Sequence, residues 1–220
     1  MKKIWITGAE GHIGTALLEL LEGIEYQLFP TDIHEVDIKR IEDVTQFVHV
    51  NRPDVIINCA GLTDVQKCEE DMDEAYRVNA IGVRNVALAA NEINAKVIQI
   101  STDDVFDKES HIPYNEFDDV HPKTIYGKSK RAGEEILTQL LNRFVIIRSS
   151  WIYGIEFART ILSLTGKTGE LELYPVVKED AARPTYFVLD NMMLCLTGIE
   201  EPQDWKTALK EYLDETGGME

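Results

Sequence analysis

The sequence is poor in cysteine. Its three cysteines, Cys59, Cys68 and Cys195, are few and odd in number, and no cluster has the spacing of a metal site. This usage is typical of a reducing compartment rather than of a disulfide-stapled secreted protein. We therefore expect a cytoplasmic location, three thiols in small buried or semi-buried positions, and no bound metal.

Long apolar runs are also missing. No stretch approaches the ~20 residues that a membrane-spanning helix needs. The opening MKKIWITGAEG has two lysines, but its apolar run is too short for the core of a secretory signal. We expect no membrane segment, and the first strand is expected to begin almost at residue 1.

Basic residues are outnumbered. The 22 lysines and arginines stand against 39 aspartates and glutamates, which gives a net charge of −17. Such a surface repels phosphate backbones and anionic lipids, so nucleic-acid binding is not expected. An anionic small ligand would have to be held by local backbone donors or by a few basic side chains.

Strand-like and helix-like segments alternate along the first 150 residues. Nearly continuous apolar strands of this kind belong to parallel sheets whose two faces are covered by helices. The predicted strands are 2–7, 25–29, 54–61, 95–101 and 143–150, and the predicted helices begin at HIGTALLELLEG and span 41–54, 71–94 and 125–142. The sequence thus predicts an α/β fold, a Rossmann-type doubly wound parallel sheet, over residues 1–155.

The pattern weakens in the remaining residues, 156–220, which we interpret as a small, reduced C-terminal lobe. EFARTILSLTGK and NMMLCLTGI are predicted helices, and ELELYPV is a predicted short strand. DWKTALKEYLDE is predicted to be a terminal amphipathic helix that begins at Asp204.

A glycine turn follows the first predicted strand. Gly8, Gly11 and Gly14 form the pattern G-x-x-G-x-x-G at the point where the strand passes into a helix. Glycine lets the backbone approach a pyrophosphate closely, and the helix start presents its amide groups to the anion. The pattern predicts a dinucleotide cofactor, although an α/β fold can also use such glycines for the turn alone.

Asp32 is the candidate acceptor for the ribose hydroxyls of that cofactor. It follows the second predicted strand at about the expected distance from the glycine turn. A solvated turn aspartate is the competing interpretation. No arginine directly follows Asp32, which favours NADH, whereas Lys39 and Arg40 lie near enough to keep NADPH open.

Three side chains suited to ketone reduction are expected at one sheet edge. Ser101 and Thr102 end the fourth predicted strand, at the edge where open parallel sheets bind ligands. Tyr126 and Lys130 are four residues apart, so they share one face of the following helix. A phenol can give the alkoxide its proton, and a nearby ammonium is expected to lower the tyrosine pKa from ~10.

With these residues, the sequence resembles the extended short-chain dehydrogenase/reductase family, and within it the dTDP-4-dehydrorhamnose reductases. The resembling stretches are TGAEGHIG, RPDVIINCAGLTDVQKCEED, AYRVNAIGVRNVA, ISTDDVFD, IPYNEFDDVHPKTIYGKSKRAGEE and IIRSSWIYG. They cover most of residues 1–154. The resemblance implies an NAD(P)H-dependent reductase of a nucleotide-linked 4-keto-6-deoxysugar, which acts in dTDP-L-rhamnose and cell-wall polysaccharide synthesis.

The resemblance also implies roles for individual residues. The implied catalytic set is Thr102, Tyr126 and Lys130. The implied cofactor residues are Gly8, Gly11, His12, Ile13, Gly14, Asp32, Asp37, Ile38, Cys59, Ala60, Gly61, Ser101 and Ser149. The implied substrate residues are Val65, Asp104 and Trp151, although Trp151 is equally interpretable as a core residue. Asn79 matches a structural asparagine.

Two departures from the family keep other functions open. Asp104 stands where the family usually has tyrosine, and the segment after SSWIYG is shorter, which predicts an internal deletion in the sugar-nucleotide lobe. The alternatives are a non-catalytic NAD(P)-binding regulatory or partner-binding subunit, and a subunit that completes its site with a partner chain. Small residues on the helices 71–94 and 125–142, namely Ala80, Gly82, Ala132 and Gly133, favour a homodimer, although they suit packing on the sheet equally well.

Overall fold

The structure is a computed structural model that describes residues 1–21, 25–106, 111–150, 188–200 and 202–215. The chain divides into two compact units. The first comprises Met1–Asp107 with Val120–Ser149, and the second comprises Lys108–Asp119 with Ser150–Glu220. The predicted domain boundary after residue 155 lies outside the described residues and stays a prediction.

A five-stranded parallel sheet forms the centre of the first unit. Its strands are β1 (Lys2–Thr7), β2 (Tyr26–Thr31), β3 (Val55–Asn58), β4 (Lys96–Thr102) and β5 (Phe144–Ser149). Their order is β2-β1-β3-β4-β5, and every pairing is parallel. The chain therefore reverses its direction of growth between β1 and β3, and the crevice at such a switch point is where open sheets bind ligands.

Helices connect the strands. They are α1 (His12–Leu21), α2 (Ile41–Asn51), α3 (Val65–Glu70), α4 (Met72–Tyr76), α5 (Val83–Ile93) and α6 (Ile125–Leu140). The single helix predicted over 71–94 is interrupted by a π-helical segment, Arg77–Gly82. The prediction missed α3 and a 3₁₀ turn, Asp103–Val105, because both are too short to show a period.

The two faces of the sheet bury different helices. Ile4, Ile6 and Ile57 face α1, and its leucines pack against them. Trp5 and Ile56, the intervening residues, point the other way, into a core built from α2, α5 and α6. Successive side chains on a strand alternate between faces, so apolar strands require helices on both sides. The predicted doubly wound α/β fold is confirmed.

The described part of the second unit is short. Tyr114 forms a parallel bridge with Leu189. Two helices follow, α7 (Met192–Thr197) and α8 (Trp205–Glu215), and the Asp204 carboxylate accepts bonds from the N–H groups of Lys206 and Thr207 at 3.1 and 3.3 Å. Both helices were predicted, whereas EFARTILSLTGK and ELELYPV lie outside the described residues.

Within the described ranges, no helix is long and apolar enough to cross a membrane. The same ranges contain no group of three or more histidine, cysteine, aspartate or glutamate side chains placed to hold a metal ion.

Candidate active site

The glycine turn brings the ends of β1 and β3 into close contact. Gly8 has φ +63°, and a Cβ there would lie 2.7 Å from the Ala60 nitrogen and 2.9 Å from the Cys59 carbonyl carbon. A side chain would therefore both strain the backbone and push the β3 loop away. The turn continues through Gly11, whose N–H donates to the Gly8 carbonyl, and α1 begins at His12.

A cavity of about 480 Å³ lies at the carboxyl ends of β1, β2 and β3. That volume falls in the range of small-molecule sites. The first N–H groups of a helix lack acceptors within it and carry the positive end of its dipole, so the start of α1 suits an anion. Eight predicted cofactor residues line the cavity: Gly8, Gly11, Asp32, Asp37, Ile38, Cys59, Ala60 and Gly61.

Five predicted cofactor residues are not part of this lining. His12 and Ile13 are exposed in the first turn of α1, and Gly14 is buried against the Gly8 carbonyl. Ser149 ends β5, where its hydroxyl lies 3.4 Å from the Ser101 carbonyl. The Ser101 hydroxyl itself is buried and donates to Glu134 Oε1 at 2.6 Å, so it faces an internal network. All five roles stay predictions.

The part of the cavity beyond β2 is acidic. The Asp32 carboxylate accepts bonds from the Glu10 and Ile33 N–H groups at 3.1 and 2.7 Å. Lys39 is already engaged, because its Nζ lies 2.7 Å from Glu74 and 3.8 Å from Asp37. The hydrogen bond to Glu74 raises the Lys39 pKa, against the effect of burial. These carboxylates suit the hydroxyl groups of a ribose better than a ribose that carries a 2′-phosphate.

Tyr126 and Thr102 meet at the end of β4. The Thr124 hydroxyl caps α6 by accepting the Gly127 N–H at 2.9 Å, which places Tyr126 in the first turn of the helix. Thr102 is the last residue of β4. Its hydroxyl donates to Asp103 Oδ1 at 3.2 Å and lies close enough to the Tyr126 phenol to interact with it. Both side chains are buried, with 3% and 7% of their surfaces exposed for Thr102 and Tyr126.

The expected lowering of the tyrosine pKa is wrong. Burial raises the pKa of Tyr126 to about 12, the hydrogen bond to Thr102 opposes that rise, and Asp104 and Asp103 add to it. The reason is that Lys130 faces elsewhere, since its Nζ donates to the Ile100 carbonyl at 2.8 Å. Tyr126 therefore keeps its proton near neutral pH, the form required of a general acid.

Lys130 and Gly61 connect this set to the cavity. The Lys130 ammonium lies 3.4 Å from the point where a Cβ on Gly61 would stand, and Gly61 lines the cavity. Burial lowers the pKa of Lys130 to about 8, and the charge of Glu134 opposes that effect. The cysteines nearby are unsuited to nucleophilic work, because burial raises the pKa of Cys59 and of Cys68 to about 11.

The predicted substrate residues are placed differently from one another. Val65 begins α3 and packs against a cluster that contains Cys68 and Tyr126. Asp104 lies buried in the 3₁₀ turn directly after Thr102. Trp151 lies outside the described residues.

Two residues near the site received no functional role from the sequence. Asn79, in the π-helical segment, binds both the N–H and the carbonyl of Leu62 at 2.9 Å and also donates to the Ser129 hydroxyl. Glu134 is a buried carboxylate bound to Ser101. Its spacing was a usable signal, because it lies four residues after Lys130 on the same helical face.

Comparison with known proteins decides the family. A family model described as the RmlD substrate binding domain matches residues 1–178. The chain belongs to this family. A Bacillus subtilis relative, "Spore coat polysaccharide biosynthesis protein SpsK", is 38% identical over 84% of this chain and 66% of its own length. The dTDP-4-dehydrorhamnose reductase of Aggregatibacter actinomycetemcomitans is 37% identical over 84% of this chain and 64% of its own length.

The RmlD-family chain also resembles a solved structure. The dTDP-4-dehydrorhamnose reductase of Bacillus anthracis in complex with NADP has a TM-score of 0.90 and 32% identity, and the match covers 98% of this chain and 100% of that one. The chain spans less than two thirds of the length of the curated relatives reported above.

Proposed function

We propose that this chain is an NAD(P)H-dependent reductase of a nucleotide-linked 4-keto-6-deoxysugar. The observation that carries the proposal is the buried pair of Tyr126 and Thr102, whose side chains lie together at the carboxyl end of β4. Lys130 lies one turn further along the same helix and next to Gly61, at the end of the cavity. The names of the relatives support the same class of substrate.

The cavity residues would hold NADH or NADPH. The pyrophosphate would lie on the turn from Gly8 to Gly11, because a Cβ at Gly8 has no room and the start of α1 carries the positive end of the helix dipole. Asp32 would accept the adenosine ribose hydroxyls. When bound, the reduced nicotinamide supplies the hydride that reduces the keto group.

The chain's own residues would handle the carbonyl oxygen. Thr102 would orient this oxygen by donating a hydrogen bond, and Tyr126 would transfer its proton to the oxygen as the alcohol forms. Lys130 would donate to the nicotinamide ribose. Val65, Asp104 and Trp151 are the residues we propose to face the sugar nucleotide, and the buried Asp104 would favour hydroxyl groups of the sugar over its phosphates.

A single substitution tests the proposal. We expect the chain to oxidise NADH or NADPH in the presence of dTDP-4-dehydrorhamnose, followed by absorbance at 340 nm. Tyr126→Phe should lower kcat by about 10²–10⁴-fold, because the general acid is lost, while cofactor affinity is retained. Tyr26→Phe is the matched control, since Tyr26 is an exposed residue at the start of β2. Equal turnover in both variants would contradict the assigned acid.

A non-catalytic NAD(P)-binding subunit is the second candidate. Asp104 beside the tyrosine favours it. Calorimetry with NADH and NADPH separates the candidates. Binding without turnover across a panel of nucleotide keto-sugars supports the subunit, whereas failure to bind either cofactor contradicts both candidates.

We further propose a homodimer located in the cytoplasm. The unpaired thiols of Cys59 and Cys68 are consistent with a reducing compartment. Light scattering, combined with activity measured against protein concentration, tests the dimer and also the hypothesis that a partner chain completes the substrate site. Activity that stays proportional to concentration through dissociation would contradict that hypothesis.

A further inference from the structure

Glu134 is a buried carboxylate that the proposed reaction leaves without a role. Its side chain is 1% exposed. It accepts the Ser101 hydroxyl at 2.6 Å, two bonds from Arg148 at 3.0 and 2.8 Å, and one from Arg131 at 3.1 Å. Burial raises its pKa, but these donors outweigh that effect and hold the pKa below its ordinary value.

These contacts belong to a ladder between α6 and the end of β4. Three residues one helical turn apart each face one of three successive strand residues. Lys130 donates to the Ile100 carbonyl, Glu134 accepts the Ser101 hydroxyl, and Tyr126 lies beside the Thr102 hydroxyl. Arg148 extends the ladder to β5, because it holds Glu134 and lies over the Phe106 ring at 5.1 Å.

We infer that Glu134 is a positioning residue: it holds the end of β4 against the face of α6 that carries Tyr126 and Lys130, and its negative charge acts on the buried Lys130 ammonium. This inference deepens the proposed function, and the effect of Glu134 on catalysis rests on that function. The claim that Glu134 holds β4 against α6 rests only on the contacts described above.

The surroundings of Lys130 explain why that charge matters. Burial is the largest influence on its pKa, and the opposing groups are Glu134 on α6, Cys59 after β3 and Cys68 on α3. The two thiols stay protonated near neutral pH. Asp103 and Asp104 act on Tyr126, while Arg131 and Arg148 face Glu134. Among these groups, Glu134 therefore supplies the negative charge that favours the ammonium.

The test measures the titration of Lys130 without cofactor or substrate. In protein labelled with ¹⁵N-lysine, the Lys130 resonance is followed from pH 6 to 11 and assigned with Lys130→Met. Glu134→Gln keeps the shape and removes the charge, so the midpoint should fall by about one pH unit, a tenfold change in the amine-to-ammonium ratio. The alkaline limb of kcat should move by the same amount.

Glu135→Gln is the matched control. Glu135 is the next residue on α6 and also binds Arg131, at 3.0 Å, but its side chain is 53% exposed. Its substitution should leave the midpoint unchanged. Equal midpoints in Glu134→Gln and wild type would overturn the inference even if wild type reduces the keto-sugar. A shifted midpoint in a chain without turnover would instead uphold the charge effect and refute the reductase.

If Glu134→Gln fails to fold, a second variant, Arg131→Gln, tests the effect of Glu134 on the Lys130 titration. Arg131 is 30% exposed and is one of two guanidinium groups that neutralise Glu134. Arg131→Gln leaves more of the Glu134 charge to act on Lys130, so the midpoint should rise. A midpoint that stays constant or falls would overturn the inference.

Discussion

Lys130 is a charged side chain that the fold buries at a cost. Its pKa moves from 10.5 to about 8, because desolvation outweighs the opposing charge of Glu134, and this net shift corresponds to roughly 3 kcal/mol of folding free energy. Lys130→Met should therefore raise the free energy of unfolding at pH 7 by about 1–3 kcal/mol, less than the full amount because the bond to Ile100 is lost. Turnover should disappear, so stability and activity oppose each other at this residue.

The pH dependence of that gain has a definite sign. Below pH 8, Lys130 is charged in both the native and the unfolded state, so the whole cost is present. Between pH 8 and 10.5 the native protein releases the proton while the unfolded chain keeps it, which stabilises wild type. Urea titrations should show that the difference in the free energy of unfolding between Lys130→Met and wild type becomes smaller as the pH rises from 8 to 10.5. Lys128→Met, on the exposed side of α6, should change stability by less than about 0.5 kcal/mol at every pH.

Asp32 should set the choice between the two cofactors. Asp32 and Glu35 lie close together after β2, and Lys39 is held by Glu74 and Asp37. We expect wild type to bind NADH more tightly than NADPH, because the 2′-phosphate meets carboxylates. Asp32→Asn should shift the affinity ratio towards NADPH by about tenfold, measured by calorimetry. Glu42→Gln, an exposed position on α2, should leave the ratio unchanged; equal shifts in both variants would contradict a local effect of Asp32.

At the scale of elements, close helix contact depends on Gly133. A Cβ on this α6 residue would collide with the Asn79 carbonyl and lie 3.3 Å from the Val83 side chain. Gly133→Ala should therefore lower the free energy of unfolding by about 1–3 kcal/mol, measured by urea denaturation. Glu135→Ala, on the exposed face of α6, should cost far less. If Gly133→Ala left the free energy of unfolding unchanged, the π-helical segment would have to shift to accommodate the added methyl group.

The π-helical segment gives Asn79 its place. The Asn79 side chain makes three hydrogen bonds, two with the backbone of Leu62 after β3 and one with Ser129 on α6. Ser129 in turn donates to the Tyr126 carbonyl at 2.8 Å. The π-helical segment thus connects the cavity rim to the helix that carries the proposed acid. The prediction of a continuous α-helix over 71–94 gave no sign of this connection.

At the scale of the whole molecule, the net charge should slow the approach of an anionic cofactor. A charge of −17 repels NADPH over distances comparable with the Debye length, ~10 Å at 0.1 M salt. Raising the salt concentration from 20 to 300 mM should therefore increase the association rate by about two- to fivefold in stopped-flow fluorescence. A rate that falls with salt would show that local cationic groups outweigh the overall charge.

Much of the fold could be predicted because its signals are local. The apolar runs at β1, β3, β4 and β5 and the helical spacing in α1 and α6 each depend on a few neighbouring residues. Gly8 is predictable for the same reason, since a positive φ at a strand end is a property of one residue. Placing Thr102 and Tyr126 at one edge required only the rule for parallel sheets, and the structure buries both side chains together there.

The parallel α/β fold, the glycine turn and the candidates for proton transfer follow from local sequence, because periodicity and backbone stereochemistry act over short stretches of chain. The packing of α6 on the sheet was needed to show that Lys130 binds Ile100, that Ser101 faces Glu134 and that the pKa of Tyr126 rises. Those outcomes depend on burial and on partners distant in sequence, so the charge and hydrogen bonding of each side chain were settled only when helix and sheet came together.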